Sequence, residues 1–511
     1  MTERTEHTTT AATTETIADL VAAEDVLLFV NAAVTATGQR EFRSTARAQR
    51  LSLAFLHEYV RVNYRPVYAA ALALDINDHN AALIIEQLLR TARDADPAEK
   101  RAEGRLIAAR LAVLPPQRVY RLFGRLRAAG VTNRRTRAIL RDWLAGRPDL
   151  AHDAVKYRHG LKTAARHFHL PLAERGHAEV GDFLFTPARR KHYDHALLDA
   201  YRRAHFAQDA LYELPFTVAE GFAAKHGVDR AALLERAAPR MTRFERLRTR
   251  RGAESGPLPR ADLSVMPLTR LALYALSFTP AERAARRKEL TGALRAAARR
   301  TAGPYRNTWG RVAAVLDDSY SSAGSGEKRR RPLAVALACH FLLAELAVPG
   351  GYTPLWTSGS TDPLLARPLG PTPLGMRIID ALERAPERLL IVSDGWDNAP
   401  PGLAAEVLRV WRTRLDPERR TSVVHLNPVY DADSFDVRRL APSVPTAGIR
   451  DAKDLQALVQ IARFAEGRTG LAELRTYLDL RVRLFVTDDR FCAFPGDVPD
   501  ALPDATSEEP R

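Results

Sequence analysis

Residues 312–322 read VAAVLDDSYSS, an apolar run that ends abruptly in acidic and hydroxyl side chains. The run predicts a buried strand, and the polar residues predict a loop at its carboxyl end. LLIVSDG at 389–395 has the same form and ends in Asp394 and Gly395. Between them lies LGPTPLG at 369–375, a Gly/Pro loop just before a helical segment. Each of the three pieces therefore ends or begins an element at a turn.

Ligands of an open parallel sheet bind outside the carboxyl ends of its strands. We therefore expect the oxygens of five side chains to converge on one divalent cation: Asp317, Ser319, Ser321, Thr372 and Asp394. Hydroxyls with few carboxylates suit Mg²⁺, which keeps several waters and takes one or two protein carboxylates. Mg²⁺ is the expected ion, and Mn²⁺ is the alternative that the sequence leaves open. The alternative is three unrelated loops whose Ser and Thr residues cap helices.

Strands and helices alternate over 301–495, which predicts a parallel sheet with helices on both faces. RVAAVLDDS, YTPLWTSG, RLLIVSDG and TSVVHLNP are the expected strands, with helical segments between them. TAGIR and DAKDLQALVQIARFAEG predict one more strand and helix. LAELRTYLDLRVRLFV predicts a helix and then a strand. The acidic segment 496–511 predicts a disordered tail.

The preceding segment, 21–300, is helical almost throughout, after a disordered tail at 1–20. Apolar residues recur at three- and four-residue spacing in 47–64, 79–94, 99–114, 116–130 and 133–146. These segments end at Pro and Gly breakers, which predicts an antiparallel stack of degenerate, HEAT-like helical repeats. A loop is expected at about 249–264. Two further helical stretches, 266–278 and the strongly basic 282–300, follow it.

The net charge of +15 is unevenly distributed. Residues 301–511 hold 26 Lys and Arg against 28 Asp and Glu, whereas residues 1–300 hold 50 against 33. This asymmetry favours a polyanion partner, such as nucleic acid, for the helical part alone. The alternative is a coding bias towards Arg and Ala on solvated helix faces.

Basic residues recur on single predicted helices and give candidate RNA contacts. They are Arg118, Arg121, Arg125, Arg127, Arg134, Arg137, Arg141, Lys156, Arg158, Lys162, Arg166, Arg189, Arg190, Lys191 and His192. The interleaved Tyr120, Phe123 and Trp143 are expected in the core rather than on the RNA surface.

Several function classes find no support in the sequence. No apolar run is long enough for a membrane span, and the N-terminus does not look like a secretory signal. The two cysteines, Cys339 and Cys492, cannot make a disulfide framework, so a cytoplasmic, monomeric protein is expected. No phosphate-binding P-loop, nucleophile elbow or paired-carboxylate layout is present, and we expect no enzyme activity.

The set Asp317-x-Ser319-x-Ser321, Thr372 and Asp394-Gly395 resembles the metal-ion-dependent adhesion site of von Willebrand factor A domains. This resemblance implies a doubly wound, Rossmann-like sheet and a cation that docks an acidic residue of a partner. A basic helical region before an A domain resembles the TROVE-module, Ro-type RNA-binding proteins. AVKYRHGLKTAARHFHL at 154–170 and MPLTRLALYAL at 266–276 look like pieces of that module. The resemblance implies a helical ring that binds small non-coding or misfolded RNA. The basic insertion GSGEKRRRP at 324–332 departs from the family.

The expected fold is therefore α + α/β, with ring closure left open. The expected function is RNA binding with a metal-dependent docking site. The main alternative is an A-domain adaptor that joins proteins, for example a chaperone-like ATPase, without RNA. A DNA-binding protein is a third hypothesis, but no helix carries a recognition-helix signature.

Overall fold

The computed structural model describes residues 22–170, 172, 178–242, 245–246, 249, 263–455 and 471–487. Both predicted tails, most of the predicted loop at 249–264 and the predicted helix beyond residue 455 lie outside the described residues. So does Cys492.

The first part of the chain is built from helices joined by short turns. They are α1 (22–35), α2 (Ala46–Asn63), α3 (Arg65–Ala70), α4 (Asp78–Arg90), α5 (Pro97–Val113), α6 (Pro116–Ala128), α7 (Arg134–Ala145), α8 (Leu150–Lys156), α9 (Arg158–His167), α10 (Ala178–Phe185), α11 (Ala196–Arg203), α12 (Phe216–Lys225), α13 (Arg230–Ala237), α14 (Leu268–Ala275), α15 (Pro280–Ala285) and α16 (Arg287–Ala302). The five amphipathic segments quoted above are thus confirmed as helices.

Side-chain caps explain where several of these helices begin. Thr45 accepts a hydrogen bond from the backbone N–H of Ala48 at the start of α2. Asp96 and Glu99 form a reciprocal capping box at the start of α5, with Pro97 in the first turn. Replacing such a cap with alanine costs about 1 kcal/mol.

The aromatic residues of α6 and α7 lie in the core, as the sequence predicts. Tyr120, Phe123 and Trp143 are at most 4% exposed. The Trp143 ring lies 5.4 Å from both of the other rings, edge to face. These contacts join α6 to α7 on their inner sides and leave the arginines on the outer faces.

The second part of the chain is a five-stranded parallel sheet of order β2-β1-β3-β4-β7. Its strands are β1 (Val312–Leu316), β2 (Tyr352–Trp356), β3 (Arg388–Val392), β4 (Ser422–Asn427) and β7 (Thr446–Gly448), while β5 (Tyr430–Asp431) and β6 (Asp436–Val437) form a separate hairpin. Helix α17 (Arg331–Leu346) packs on one face, and α18 (Leu374–Leu382) with α19 (Leu403–Val410) on the other. The mixed helical and parallel-sheet class is therefore confirmed.

One local prediction is wrong. The segment that ends in VRLFV is no strand, because the helix α20 (Leu471–Thr487) runs through it. Leu474 and Leu478, one helical turn apart, are buried, and α20 packs against α3 and α5. Tertiary packing overrides the β propensity of Val and Phe here. The basic stretch 282–300 is helical as predicted, in two helices, α15 and α16, that meet at Arg286. The Arg286 guanidinium lies 4.5 Å from the Phe278 ring.

Both ends of the helical region contact the sheet region. Near the start, Asn31 of α1 donates to Asp436 (2.9 Å) and accepts from the backbone N–H of Gly448 (2.9 Å). At the other end, α14 and α16 pack against α17. Among the described residues, no helix is long and apolar enough to cross a membrane.

Candidate metal centre and basic surface

The candidate metal centre lies where the order of the strands reverses. β1 and β3 are adjacent in the sheet, and their chains leave it in loops that carry Asp317 and Asp394. The third loop precedes α18 and carries Thr372. This edge is where open α/β sheets bind ligands.

Backbone hydrogen bonds hold the three loops together. The N–H of Tyr320 donates to the carbonyl of Gly370 (3.0 Å). Asn398, in the loop after Asp394, accepts from the N–H of Thr372 (2.7 Å) and donates to its carbonyl (3.3 Å). Thr372 is 2% exposed. Its backbone thus ties the third loop to the second, beside the predicted site.

The other four predicted ligands come together directly. The carboxylate of Asp317 accepts from the N–H of Ser319 (2.8 Å), and the hydroxyl oxygens of Ser319 and Ser321 are 3.3 Å apart. The hydroxyl of Ser321 lies beside the carboxylate of Asp394. All four residues are at most 7% exposed.

The carboxylates of Asp317 and Asp394 are buried at this edge, and among the described residues neither forms an ion pair. Burial, followed by the negative charge of Asp394, raises the pKa of Asp317 to about 7. Burial also raises the pKa of Asp394. The Ser321 hydroxyl and the positive charges of Arg43 and Arg438 lower it by less than burial raises it. A divalent cation between the two carboxylates would remove the electrostatic cost of ionising them.

The donor set fits a small, hard cation. Mg²⁺ binds oxygens octahedrally at about 2.1 Å, so adjacent ligands lie about 3 Å apart. The separation of 3.3 Å between the Ser319 and Ser321 hydroxyls is close to that spacing. Over the described part of the chain, no group of three or more His, Cys, Asp or Glu side chains is placed to hold a metal. The candidate site is of a different kind, with two carboxylates and several hydroxyls.

The neighbouring acid, Asp318, has another role. Its carboxylate accepts hydrogen bonds from the Thr357 hydroxyl (2.9 Å), the Ser358 N–H (2.8 Å) and the Ser358 hydroxyl (2.6 Å). Asp318 therefore fixes the loop after β2 against the loop after β1.

The basic insertion at 324–332 contacts the helical region. Gly324 has φ +67°, and a Cβ there would lie 2.3 Å from the carbonyl oxygen of Lys328, so the tight loop needs glycine. Lys328 forms an ion pair with Glu41, and both side chains are at most 5% exposed. Ser325 donates to the carbonyl of Arg40 (2.6 Å). The insertion thus connects the loop that carries Asp317, Ser319 and Ser321 to the turn before α2.

We call the edge of the sheet where the five candidate ligands lie the metal edge. A cluster of aromatic and cationic side chains, which we call the rim, lies beside it. It consists of Phe42, Arg43, Tyr320, Trp396 and Arg438. The two guanidinium groups lie over the Trp396 ring, at 4.1 Å for Arg43 and 3.8 Å for Arg438. Phe42 contacts Tyr320 edge to face at 5.8 Å, and Arg43 lies 5.6 Å from the Phe42 ring.

The rim residues are not among those predicted from the sequence. Trp396 is two residues beyond Asp394, and its N–H donates to that carboxylate (3.1 Å), so proximity in sequence was a usable signal. Arg438 can lie close to Trp396 because the residue before Trp396 is Gly395, which has φ +76° and no side chain. A Cβ at Gly395 would lie 2.7 Å from the backbone carbonyl oxygen of Arg438. Phe42 and Arg43 come from the helical region, and no local pattern marks them.

The first group of candidate RNA contacts is mostly solvent-facing. Arg121, Arg127, Arg134 and Arg137 are exposed, and within the described residues none of them forms an ion pair. By contrast, Arg125 is paired with Glu86. Arg118 is half-buried, and Arg141 is exposed and lies 3.3 Å from Asp142. The outer faces of α6 and α7 therefore carry positive charge that no carboxylate of the described residues neutralises.

The α6 arginines approach the insertion. His79, at the start of α4, is half-buried, and its pKa is lowered to about 4 by desolvation and then by the charges of Arg118, Arg125 and Lys328. His79 also lies near Gly38, in the turn that carries the rim residues of the helical region. Positive charge thus extends from α6 towards the metal edge.

The second group of candidate contacts is largely engaged within the protein. Arg158 lies over the Phe183 ring at 5.0 Å, and Arg190 pairs with Asp182 at 2.6 Å and with Glu179. Further contacts are those of Lys156 with Glu245 (3.8 Å), of Lys162 and Arg166 with Phe185, and of His192 with Asp194 and Asp199. Lys191 is exposed, and the side chain of Arg189 is outside the described residues. These residues are weaker candidates than those of α6 and α7.

No protein-family model matches the chain, and no curated protein matches it. The resemblances to A domains and to Ro-type proteins therefore rest on the motif and the arrangement described here.

An apolar groove of about 420 Å³ lies elsewhere, between α18 and α19. It is lined by Ile379, Leu382, Glu383, Glu406, Val407, Val410, Trp411 and Leu415. None of these residues belongs to the metal set or to the rim.

Proposed function

We propose that this protein binds RNA through the basic outer faces of its helical region and carries a divalent-cation docking site at the edge of its sheet. In this proposal it resembles the Ro-type proteins, with a HEAT-like helical region and a von Willebrand factor A-like sheet region. The RNA is small and structured or misfolded. The cation is Mg²⁺ or Mn²⁺, held by Asp317, Ser319, Ser321, Thr372 and Asp394.

The observation that carries RNA binding is the set of exposed arginines on α6 and α7 that have no carboxylate partner among the described residues. Other arginines of the helical region are paired: Arg65 and, on α7 itself, Arg135 share Glu103, and Arg147 pairs with Asp153. Unmatched guanidinium groups on neighbouring helices attract phosphates and release their counterions on binding.

The contacts between the two regions support a joint function. The turn before α2 and the helices α14–α16 both meet the sheet region, and the former reaches the metal edge. RNA on the helical region and a ligand on the cation are therefore neighbours in this proposal.

The test is the salt dependence of RNA affinity. Fluorescence anisotropy with a labelled structured RNA, read between 50 and 200 mM KCl, should give a log–log slope near −4 for about six neutralised phosphates. Replacing Arg121, Arg134 and Arg137 with Gln should weaken binding at least tenfold and flatten the slope by about 2.

The control of equal charge removes three exposed arginines from the sheet region: Arg414, and Arg409 and Arg420, which are paired with Glu406 and Glu418. It changes the net charge by the same amount. An unchanged slope in the α6–α7 variant, or an equal loss in the control, would remove these helices from the RNA surface.

The second candidate is an adaptor that joins proteins without RNA. The metal edge favours it, because a cation at such a site leaves a position for an acidic side chain of a partner. Purification at low salt separates the two. A 260/280 absorbance ratio equal to that of pure protein, with no RNA binding at 50 mM KCl, would favour the adaptor.

A further inference from the structure

The rim gives the metal edge a specific chemical character. The guanidinium groups of Arg43 and Arg438 lie on the Trp396 ring, and the N–H of Trp396 is bonded to Asp394. Both arginines are exposed, and neither forms an ion pair with a carboxylate among the described residues. A bound divalent cation would offset Asp317 and Asp394, and the two arginine charges would remain to be matched by a ligand.

The rim also offers aromatic surface. Tyr320 stands between the two serine ligands in sequence and is 66% exposed. Its ring contacts Phe42, which lies beside Arg43. An exposed aromatic ring beside cations is the arrangement that nucleic-acid-binding surfaces use to stack a base next to a held phosphate.

We propose that the ligand of the metal edge is the phosphate monoester of a nucleotide, held by the cation together with Arg43 and Arg438, with its base against Tyr320. This inference rests on the proposed cation site and identifies the group that docks there. Arginine forks match phosphate oxygens in pairs, and a dianion complements two arginines better than a single carboxylate does. The source is the phosphorylated end of a single-stranded RNA or a free mononucleotide.

Two measurements on the full-length chain distinguish binding of the cation from binding of the phosphate ligand. The first is Mn²⁺ binding alone, followed by electron paramagnetic resonance of free Mn²⁺. The second is Mn²⁺-dependent broadening of the ³¹P resonance of AMP, of inorganic phosphate, and of a five-residue oligoadenylate with and without a terminal phosphate. Acetate serves as the carboxylate competitor.

The expected result is one Mn²⁺ per chain, and binding of AMP or of the phosphorylated oligomer that requires Mn²⁺. Competition by acetate should need at least a tenfold higher concentration. Binding of AMP assigns the site to mononucleotides, whereas binding of the phosphorylated oligomer alone assigns it to an RNA end. Equal binding by the oligomer without a terminal phosphate would overturn the inference.

Variants test the rim directly. Arg43→Gln with Arg438→Gln should lower phosphate affinity at least tenfold and leave Mn²⁺ affinity unchanged or raised, because two positive charges beside the cation are removed. Arg409→Gln with Arg420→Gln is the control of equal charge and should change neither.

Tyr320→Ala gives a second test that does not depend on the folding of the arginine variant, since Tyr320 is largely exposed. It should weaken AMP about fivefold and leave inorganic phosphate unchanged. Equal affinities of AMP in wild type and in this variant would contradict the base contact.

The failure of this inference differs from the failure of the cation site. Wild-type protein that does not bind Mn²⁺ would overturn both. Protein that binds Mn²⁺ but no phosphate, or binds acetate as tightly as phosphate, would overturn only the nucleotide ligand and return the site to an acidic protein partner.

Discussion

Asp317→Asn should stabilise the metal-free protein while it abolishes metal binding. The change removes the buried negative charge of Asp317 and keeps an oxygen that can accept from the Ser319 N–H. The pKa of Asp317 is raised from 3.8 to about 7, so its ionised form at pH 8 costs the folded state about 4 kcal/mol relative to the unfolded chain. The variant avoids this cost and should gain up to about 4 kcal/mol in EDTA.

The sign of the pH dependence follows from the same shift. Between pH 4 and 7 the folded wild type binds more protons at Asp317 than the unfolded chain does, so its stability falls as pH rises. The advantage of the variant should therefore be small near pH 4 and complete above about pH 7.

The assay is urea unfolding followed by circular dichroism, with EDTA or MgCl₂. Wild type should gain about 2.7 kcal/mol when Mg²⁺ is present at 100 times its dissociation constant, and the variant should gain nothing. Asp318→Asn is the matched control. It places an amide among three hydrogen-bond donors and should lose about 1–3 kcal/mol with or without Mg²⁺. An Asp317→Asn variant that is less stable in EDTA, or that still responds to Mg²⁺, would refute this electrostatic account of the site.

Two further predictions concern the helical region and its junction with the sheet. His57 is buried, and its ring nitrogens bond to Tyr68 (2.8 Å) and Asn80 (3.2 Å); burial lowers its pKa to about 4, below the unfolded value of 6.5. The free energy of unfolding of the wild type is therefore about 2 kcal/mol lower at pH 5 than at pH 7, because the unfolded chain binds a proton that the folded one does not. The deficit in stability of His57→Gln relative to wild type should shrink by that amount in urea titrations. A deficit that does not change with pH would be inconsistent with a neutral buried imidazole. Lys328→Met leaves Glu41 buried without its cation and should cost about 3–5 kcal/mol in the same assay, whereas adding Glu41→Gln should restore part of the loss; no loss in the single variant would mean that the pair does not hold the junction.

The sequence indicated which candidate metal ligands would lie together, because four of them follow strands whose apolar pattern is clear and Thr372 precedes a helix. Val312–Leu316 and Arg388–Val392 are buried strands, and the acids that follow them share one edge by the rules of parallel sheets. The geometry of parallel sheets does not predict the rim. Phe42 and Arg43 reach the site through the packing of the helical region on the sheet, which no spacing along the chain records.

The basic insertion gives a second example. In the sequence, Lys328 belongs to a run of four cations, which is typical of a solvated surface. In the structure it is buried against Glu41, nearly three hundred residues away. A charge run indicates composition, whereas burial depends on a partner that only the tertiary fold supplies.

The most direct measurement of the central claim is an anomalous difference map from crystals of the full-length protein soaked in MnCl₂. We expect one strong peak about 2.1–2.3 Å from the hydroxyl oxygens of both Ser319 and Ser321, beside Asp317 and Asp394. No peak at this edge, or a peak bound only by other residues, would contradict the cation site.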